Sequence, residues 1–122
     1  MKFNLNKIDH VHIYVTNRDA AEKWYSDILG LSRITELEDW AVGSGPLTIG
    51  NDDVHLALFT GSKSNSNVVA FAVELEQFSM VQQHLDENNV KYTFADHDMS
   101  VSVYFKDPYD NSYEITAYRN VK

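Results

Sequence analysis

A chain of 122 residues, 43% of them hydrophobic, is long enough for one domain with a real core and too apolar for disorder. Its 18 acidic and 10 basic residues leave a formal charge of −8, which repels phosphate backbones and anionic bilayers and excludes nucleic acid and membrane surfaces as partners. No cysteine is present for disulfides or thiolate metal sites, Met1 to Lys7 lacks the apolar core of a signal peptide, and no apolar run approaches the ~20 residues that span a bilayer, so the expected location is cytoplasmic.

The first element, "IDHVHIYV" (8–15), alternates with period two: Val11, Ile13 and Val15 fall on one face, His10, His12 and Tyr14 on the other, as in a strand. "TNRDAAEKWYSDILG" follows as a helix. Thr16 or Asn17 can cap its free N–H groups, Trp24, Tyr25, Ile28 and Leu29 share a face, and Gly30 suits a left-handed C-terminal cap. "VHLALF" (54–59) is a second alternating strand, and the polar tract "TGSKSNSN" (60–67) reads as a linker.

Beyond the tract the order repeats. "VVAFAV" (68–73) is a strand, "EQFSMVQQHLDENN" (76–89) a helix burying Phe78, Val81 and Leu85, and "SVSVYF" (100–105) and "SYEITAY" (112–118) are strands joined by an Asp-Pro-Tyr-Asp-Asn turn. Val15 aligns with Val73, and Trp24 and Ile28 align with Val81 and Leu85 after a one-residue slip. The reading is a single α+β domain of two βαβββ modules, about 7–59 and 68–119. In each strand one face is apolar and packs on the helix. The opposite faces collect His10, His12, Tyr14, His55, Ala57, Phe59, Ser102, Tyr104 and Glu114. If the two sheets curl into one cup, Glu114 points into a cavity rather than a core, which explains a carboxylate between Tyr113 and Ile115.

"IDHVHIYVTNRDAAEKWYSDILGL" and "VYFKDPYDNSYEI", correctly spaced about a repeated module, resemble the vicinal oxygen chelate superfamily of glyoxalases, extradiol dioxygenases, fosfomycin-resistance transferases and bleomycin-resistance proteins, across about residues 7 to 119. "ADHDMSVSVYFKDP" looks particularly like the extradiol branch. The resemblance implies an eight-stranded, partly closed cup with helices outside, commonly a homodimer, holding a divalent metal such as Fe²⁺, Mn²⁺ or Zn²⁺. Its metal-binding members take a His from the first strand of each module and a Glu from the last strand. These positions fall on His10, Val68 and Glu114, and the extra carboxylate of glyoxalases falls on Ala57. Val68 and Ala57 cannot ligate. Asp110 stands where the family usually has Gly, and Asp tolerates the left-handed turn.

His10 and Glu114 therefore read either as a metal pair or as a hydrogen-bonded remnant of one. His55, one pleat from Ala57, is a candidate third ligand or a hydrogen-bonded pocket histidine. His12, about 6–7 Å along the strand from His10, reads as facing substrate or supporting a ligand. His97 is a candidate acid/base group if the extradiol likeness holds and a solvated loop histidine otherwise, while Tyr104 offers a phenol to a ligand or fills space. His84 reads as a surface residue and Trp40 as a lid or hairpin-packing aromatic. Gly43-Ser44-Gly45-Pro46 lacks the ending of a phosphate loop, and no Ser-His-Asp or Cys-His arrangement is identifiable. Two functions remain in view. One is a metal-dependent enzyme of the extradiol dioxygenase or glyoxalase type acting on a small molecule with two adjacent oxygens. The other is a metal-free small-molecule binding protein of the bleomycin-resistance type.

Overall fold

The computed structural model describes residues 3–119, which divide into two compact units, the first ending at Ser62 and the second beginning at Lys63. The first contains β1 (Val11–Val15), α1 (Arg18–Trp24), β2 (Ser32–Arg33), β3 (Leu47–Gly50) and β4 (His55–Thr60). Its sheet runs β1-β4-β3-β2; β1 and β4 are parallel and the other pairs antiparallel. The second contains β5 (Val69–Ala72), α2 (Phe78–Glu87), β6 (Thr93–Asp96), β7 (Ser100–Lys106) and β8 (Ser112–Tyr118), in the order β5-β8-β7-β6 with β5 and β8 parallel. A parallel pair needs a long crossover, and in each unit the crossover includes the helix. The two βαβββ modules are thus built alike.

Local chemistry explains the element ends. Asn17 caps α1 by accepting the Ala20 N–H at 3.0 Å. The helix then widens into a π-type turn over Tyr25–Leu29 and stops at Gly30, whose φ of 67° is the left-handed cap that lacks a Cβ penalty. The second helix has no side-chain N-cap and is preceded by a 3₁₀ turn, Leu75–Gln77. Beyond its end Asn89 adopts a φ of 57°. Trp40 closes a 3₁₀ helix, Thr35–Trp40, and is exposed.

The apolar faces assigned from alternation form the cores. In module one Ile13, Val15, Tyr25, Ile49, Leu56 and Leu58 are buried. In module two Phe78, Leu85, Val101, Val103, Phe105, Tyr113 and Ile115 are buried. Burying a side chain of this size stabilises by roughly 1.5–3 kcal/mol, so these clusters dominate each module's stability. The alternation is clean along β8, where Ser112, Glu114 and Thr116 stay half-accessible between buried neighbours. In β3 all four residues are buried, and so are Leu56, Ala57 and Leu58 of β4.

The tract read as a linker is partly tied down. The Asn65 N–H donates to Asn111 Oδ1 at 2.7 Å, and Asn65 Oδ1 accepts the Ser112 N–H at 2.9 Å. In the turn between β7 and β8, the buried Asp107 accepts from the backbone N–H groups of Tyr109 and Asn111 through Oδ1 and from the Asn111 amide through Oδ2, all within 2.9 Å. Asp110 sits at a φ of 70°, where Asp is tolerated in place of Gly.

Candidate functional site

Module two gathers His97, Tyr104, Ser102 and Glu114. The antiparallel register sets Tyr104 opposite Glu114, and Ser102 lies two residues along β7 on the same face. The buried Ser102 hydroxyl donates to Glu114 Oε2 at 2.7 Å. The carboxylate half-buried in a strand thus has a hydrogen-bond donor of its own, as its desolvation requires. The Tyr104 hydroxyl lies 3.0 Å from His97 Nε2, with the two rings edge to face. Burial, and after it the charge of Glu114, push the Tyr104 phenol above its ordinary value, so it remains a neutral donor at physiological pH.

His97 is held by its turn. Asp96 Oδ1 accepts the Asp98 N–H at 2.9 Å, Asp98 adopts a φ of 70°, and the His97 N–H donates to the Ser100 carbonyl at 2.8 Å. Arg119 clamps this turn with both guanidinium nitrogens on the Asp96 carboxylate and a further bond to the Asp98 carbonyl at 2.7 Å. The Arg119 hydrogen bonds hold the Asp96 carboxyl down to about 2.

Module one presents a different group. His10 Nδ1 lies 2.9 Å from Asp9 Oδ2, and His10 Nε2 lies 3.0 Å from His12 Nε2. The imidazoles are stacked, with centroids 5.0 Å apart, and His12 packs on Phe59 of β4. The hydrogen bond from His10 draws the Asp9 carboxyl below its ordinary value. His55 opens β4 with its Nε2 3.2 Å from the Asn51 carbonyl oxygen.

The structure therefore brings His97 and Tyr104 together and links Tyr104 to Glu114 across neighbouring strands. It gives His10 the neighbours Asp9 and His12, and it holds His55 against its own turn. Val68 is half exposed and Ala57 buried, neither with a donor atom. Among the described residues no group of three or more His, Cys, Asp or Glu side chains converges to hold a metal. Sequence reasoning passed over the support that Ser102 gives Glu114, although the period-two alternation places both on the open face. It passed over Arg119 as well, whose link to Asp96 spans 23 residues and leaves no local signal. His84 is exposed on α2, beside Asn88.

The family model of the Glyoxalase/Bleomycin resistance protein/Dioxygenase superfamily matches residues 7–115. Similar solved structures include a glyoxalase family protein from Bacillus anthracis, 18% identical, with a TM-score of 0.78 over 98% of this chain and 100% of that one. The fosfomycin resistance protein FosX from Listeria monocytogenes, solved with Mn(II) and sulfate, is 14% identical with a TM-score of 0.75 over 96% and 94% of the two chains. The oxidase ChaP-H1 is 23% identical with a TM-score of 0.73 over 97% and 100%. No curated protein matches this chain in sequence.

Proposed function

We propose that this chain, which belongs to the glyoxalase, bleomycin resistance protein and dioxygenase superfamily, is a metal-assisted enzyme acting on a small molecule with two adjacent oxygens. The observation that supports this most is the 3.0 Å contact between His97 Nε2 and the Tyr104 hydroxyl, set beside the Glu114 carboxylate. A neutral imidazole has one donor and one acceptor nitrogen, so the pair can pass a proton in either direction according to the tautomer. His97 takes or returns the substrate proton, Tyr104 donates its hydroxyl to a developing oxygen charge, and Ser102 fixes the Glu114 carboxylate. No helix of the described residues is long and apolar enough to cross a membrane. The proposal includes a cytoplasmic homodimer, on the absence of cysteine and the family resemblance.

The donor set suits a divalent ion, since imidazole and carboxylate are the ligand types that Fe²⁺, Mn²⁺ and Zn²⁺ accept. His10 and His55 in the first unit and Glu114 in the second are each proposed as residues available to such an ion. His10 fits the role best, because Asp9 holds its Nδ1 and leaves Nε2, which lies 3.0 Å from His12 Nε2, as the nitrogen to ligate. When bound, the ion supplies Lewis-acid polarisation of the two substrate oxygens or activation of dioxygen. The FosX neighbour with Mn(II) shows that a protein of this fold can be complexed with such an ion.

A second reading rests on Val68 and Ala70, both exposed at the start of β5, where the family's middle ligand would stand. An apolar surface there suits a bound organic molecule without metal, as in a sequestration protein. Elemental analysis of the protein after incubation with Fe²⁺, Mn²⁺ or Zn²⁺ and desalting separates the two. The enzyme reading expects retained metal and turnover of catechol-type or hydroxy-carbonyl compounds, reduced about 10²–10⁴-fold in Tyr104→Phe or His97→Ala. No retained metal and no turnover, with ligand-induced thermal shifts intact, would leave the binding reading.

A further inference from the structure

We infer that the free edge of β6 is the surface that receives a second copy of this chain, the two β6 strands pairing antiparallel about a twofold axis. The inference rests on the homodimer part of the reading above and gives that dimer a surface and a register. β6 is an outer strand, paired with β7, and among the described residues no strand pairs with its other edge. The phase of its backbone can be worked out. The His97 N–H donates to the Ser100 carbonyl, so these two residues form a hydrogen-bonded pair. The alternation of an antiparallel ladder then makes Ala95 and Ser102, and Thr93 and Tyr104, hydrogen-bonded pairs as well. The Arg119 N–H on the Met99 carbonyl gives the same phase from the other side. It turns the backbone of Val101 and Val103 toward β8 and leaves Ser102 and Tyr104 to β6. The N–H and C=O of Phe94 and Asp96 therefore point away from the sheet, and both residues are exposed.

The side chains suit a copy of themselves. Phe94 lies opposite the buried Val103, with its ring edge to face on Phe78 of α2 at 6.2 Å between centroids, yet it remains 49% exposed. With Val90 and Tyr92 it lines an open groove of about 710 Å³ at the same edge. Edge strands are commonly guarded by a free charge. The one charge of β6, Asp96, is instead engaged by the Arg119 guanidinium. Outward backbone groups can meet only outward groups, which leaves two symmetric registers. In one, Phe94 faces Asp96 of the second copy, and the two Asp96 carboxylates become diagonal neighbours, which is unfavourable for like charges. In the other, Phe94 faces Phe94 of the second copy and the two Asp96 residues stand far apart. This second register joins two aromatic rings beside the grooves. It also sets Lys91 opposite His97 of the second copy, between Asp96 and Asp98, so a cation meets the acidic end of the strand in a chain of net charge −8. The contact is isologous, so both copies gain it.

The test is analytical ultracentrifugation of the full-length protein over about a hundredfold range of concentration, joined to oxidative cross-linking, for which a chain without cysteine gives a clean background. The expected result is a reversible monomer–dimer equilibrium, because a short strand pair with one aromatic anchor is smaller than a permanent interface. Phe94→Lys should weaken association by about tenfold or more. Lys91→Glu should weaken it by roughly two- to fivefold, the range of an exposed ion pair. In the chosen register Thr93 faces Ala95 of the second copy, within disulfide reach. Thr93→Cys and Ala95→Cys chains, mixed and oxidised, should therefore give a covalent dimer, while either variant alone should not. Both keep Phe94, so the cross-link remains decisive even if Phe94→Lys folds poorly. A covalent dimer from Ala95→Cys alone would mean the other register and overturn this one. A parent that dimerises, with Phe94→Lys dimerising equally and the mixed cysteine chains failing to cross-link, would leave the homodimer standing and remove β6 from it. A parent monomeric throughout the range would overturn the dimer and its surface together, without touching the proposed chemistry, which is read by retained metal and turnover.

Discussion

In module one His12, on the open face of β1, meets the tip of His10 just before the strand and packs on the aromatic pair Phe59 and Tyr14. In module two the corresponding face carries a phenol, a hydroxyl and a carboxylate linked across β7 and β8. The element order is the same, the parallel β pair is the same, and the cores use the same inward positions. The helix ends and the flanking strands differ in detail, and so do the outward positions, which can change without touching the buried face because strand side chains alternate. The open faces thus carry a histidine pair in one module and a phenol, a hydroxyl and a carboxylate in the other.

The two modules should respond most strongly to substitution at their turns. Asp107→Ala strips three acceptor contacts from buried and part-buried N–H groups of module two. It should cost about 2–4 kcal/mol in urea unfolding, within the range for orphaned buried donors. A cost under 1 kcal/mol would show that the turn does not anchor β7 and β8. Module one has its tight point at Gly50, where an added Cβ would collide with the Val54 carbonyl and the His55 ring. Gly50→Ala should cost about 1–3 kcal/mol by overpacking. It should also alter the His55 resonance, which a purely global loss would not.

Acid sharpens the contrast further. The Asp96 carboxyl is depressed to about 2 by Arg119, so its contribution is complete above the ordinary carboxylate value and is lost as pH falls through about 2. Thermal melts between pH 4 and 2 should show a steeper fall for the parent than for Arg119→Ala. Parallel profiles would remove the clamp from the account of how His97 is held. The smallest expected effect is on stability in Tyr104→Phe, below about 1 kcal/mol, since the lost bond is to an exposed histidine. A larger loss measured by urea unfolding would make Tyr104 a structural group rather than one available to a substrate.

The parts legible in the sequence are those with short-range signals. The alternation of β1 and β8, the Asn17 cap and the Gly30 stop are each decided within a few residues. Strands β2, β3 and β6 leave little such signal: the first has two residues, the second is buried on both faces, and the third is mostly exposed. The sequence reading set His10 and His12 about 6–7 Å apart along one strand, whereas β1 begins at Val11, after His10, and the two ring nitrogens lie 3.0 Å apart. His97 was singled out by resemblance, yet its side-chain partner is Tyr104, seven residues away across the hairpin turn. The longest-range features, Arg119 on Asp96 and Asn65 on Asn111, have no local pattern at all.

The Asn65 stitch bears on how the chain can be cut. A gene fragment beginning at Val68 would encode every strand and helix of module two, yet it would lack the backbone donor for Asn111 Oδ1 and the acceptor for the Ser112 N–H. A fragment opening at Lys63 retains both. The reading frame for this half of the molecule therefore starts inside the polar tract, and a protease nick at Gly61 leaves the stitch attached where a nick after Asn65 severs it from its own strand.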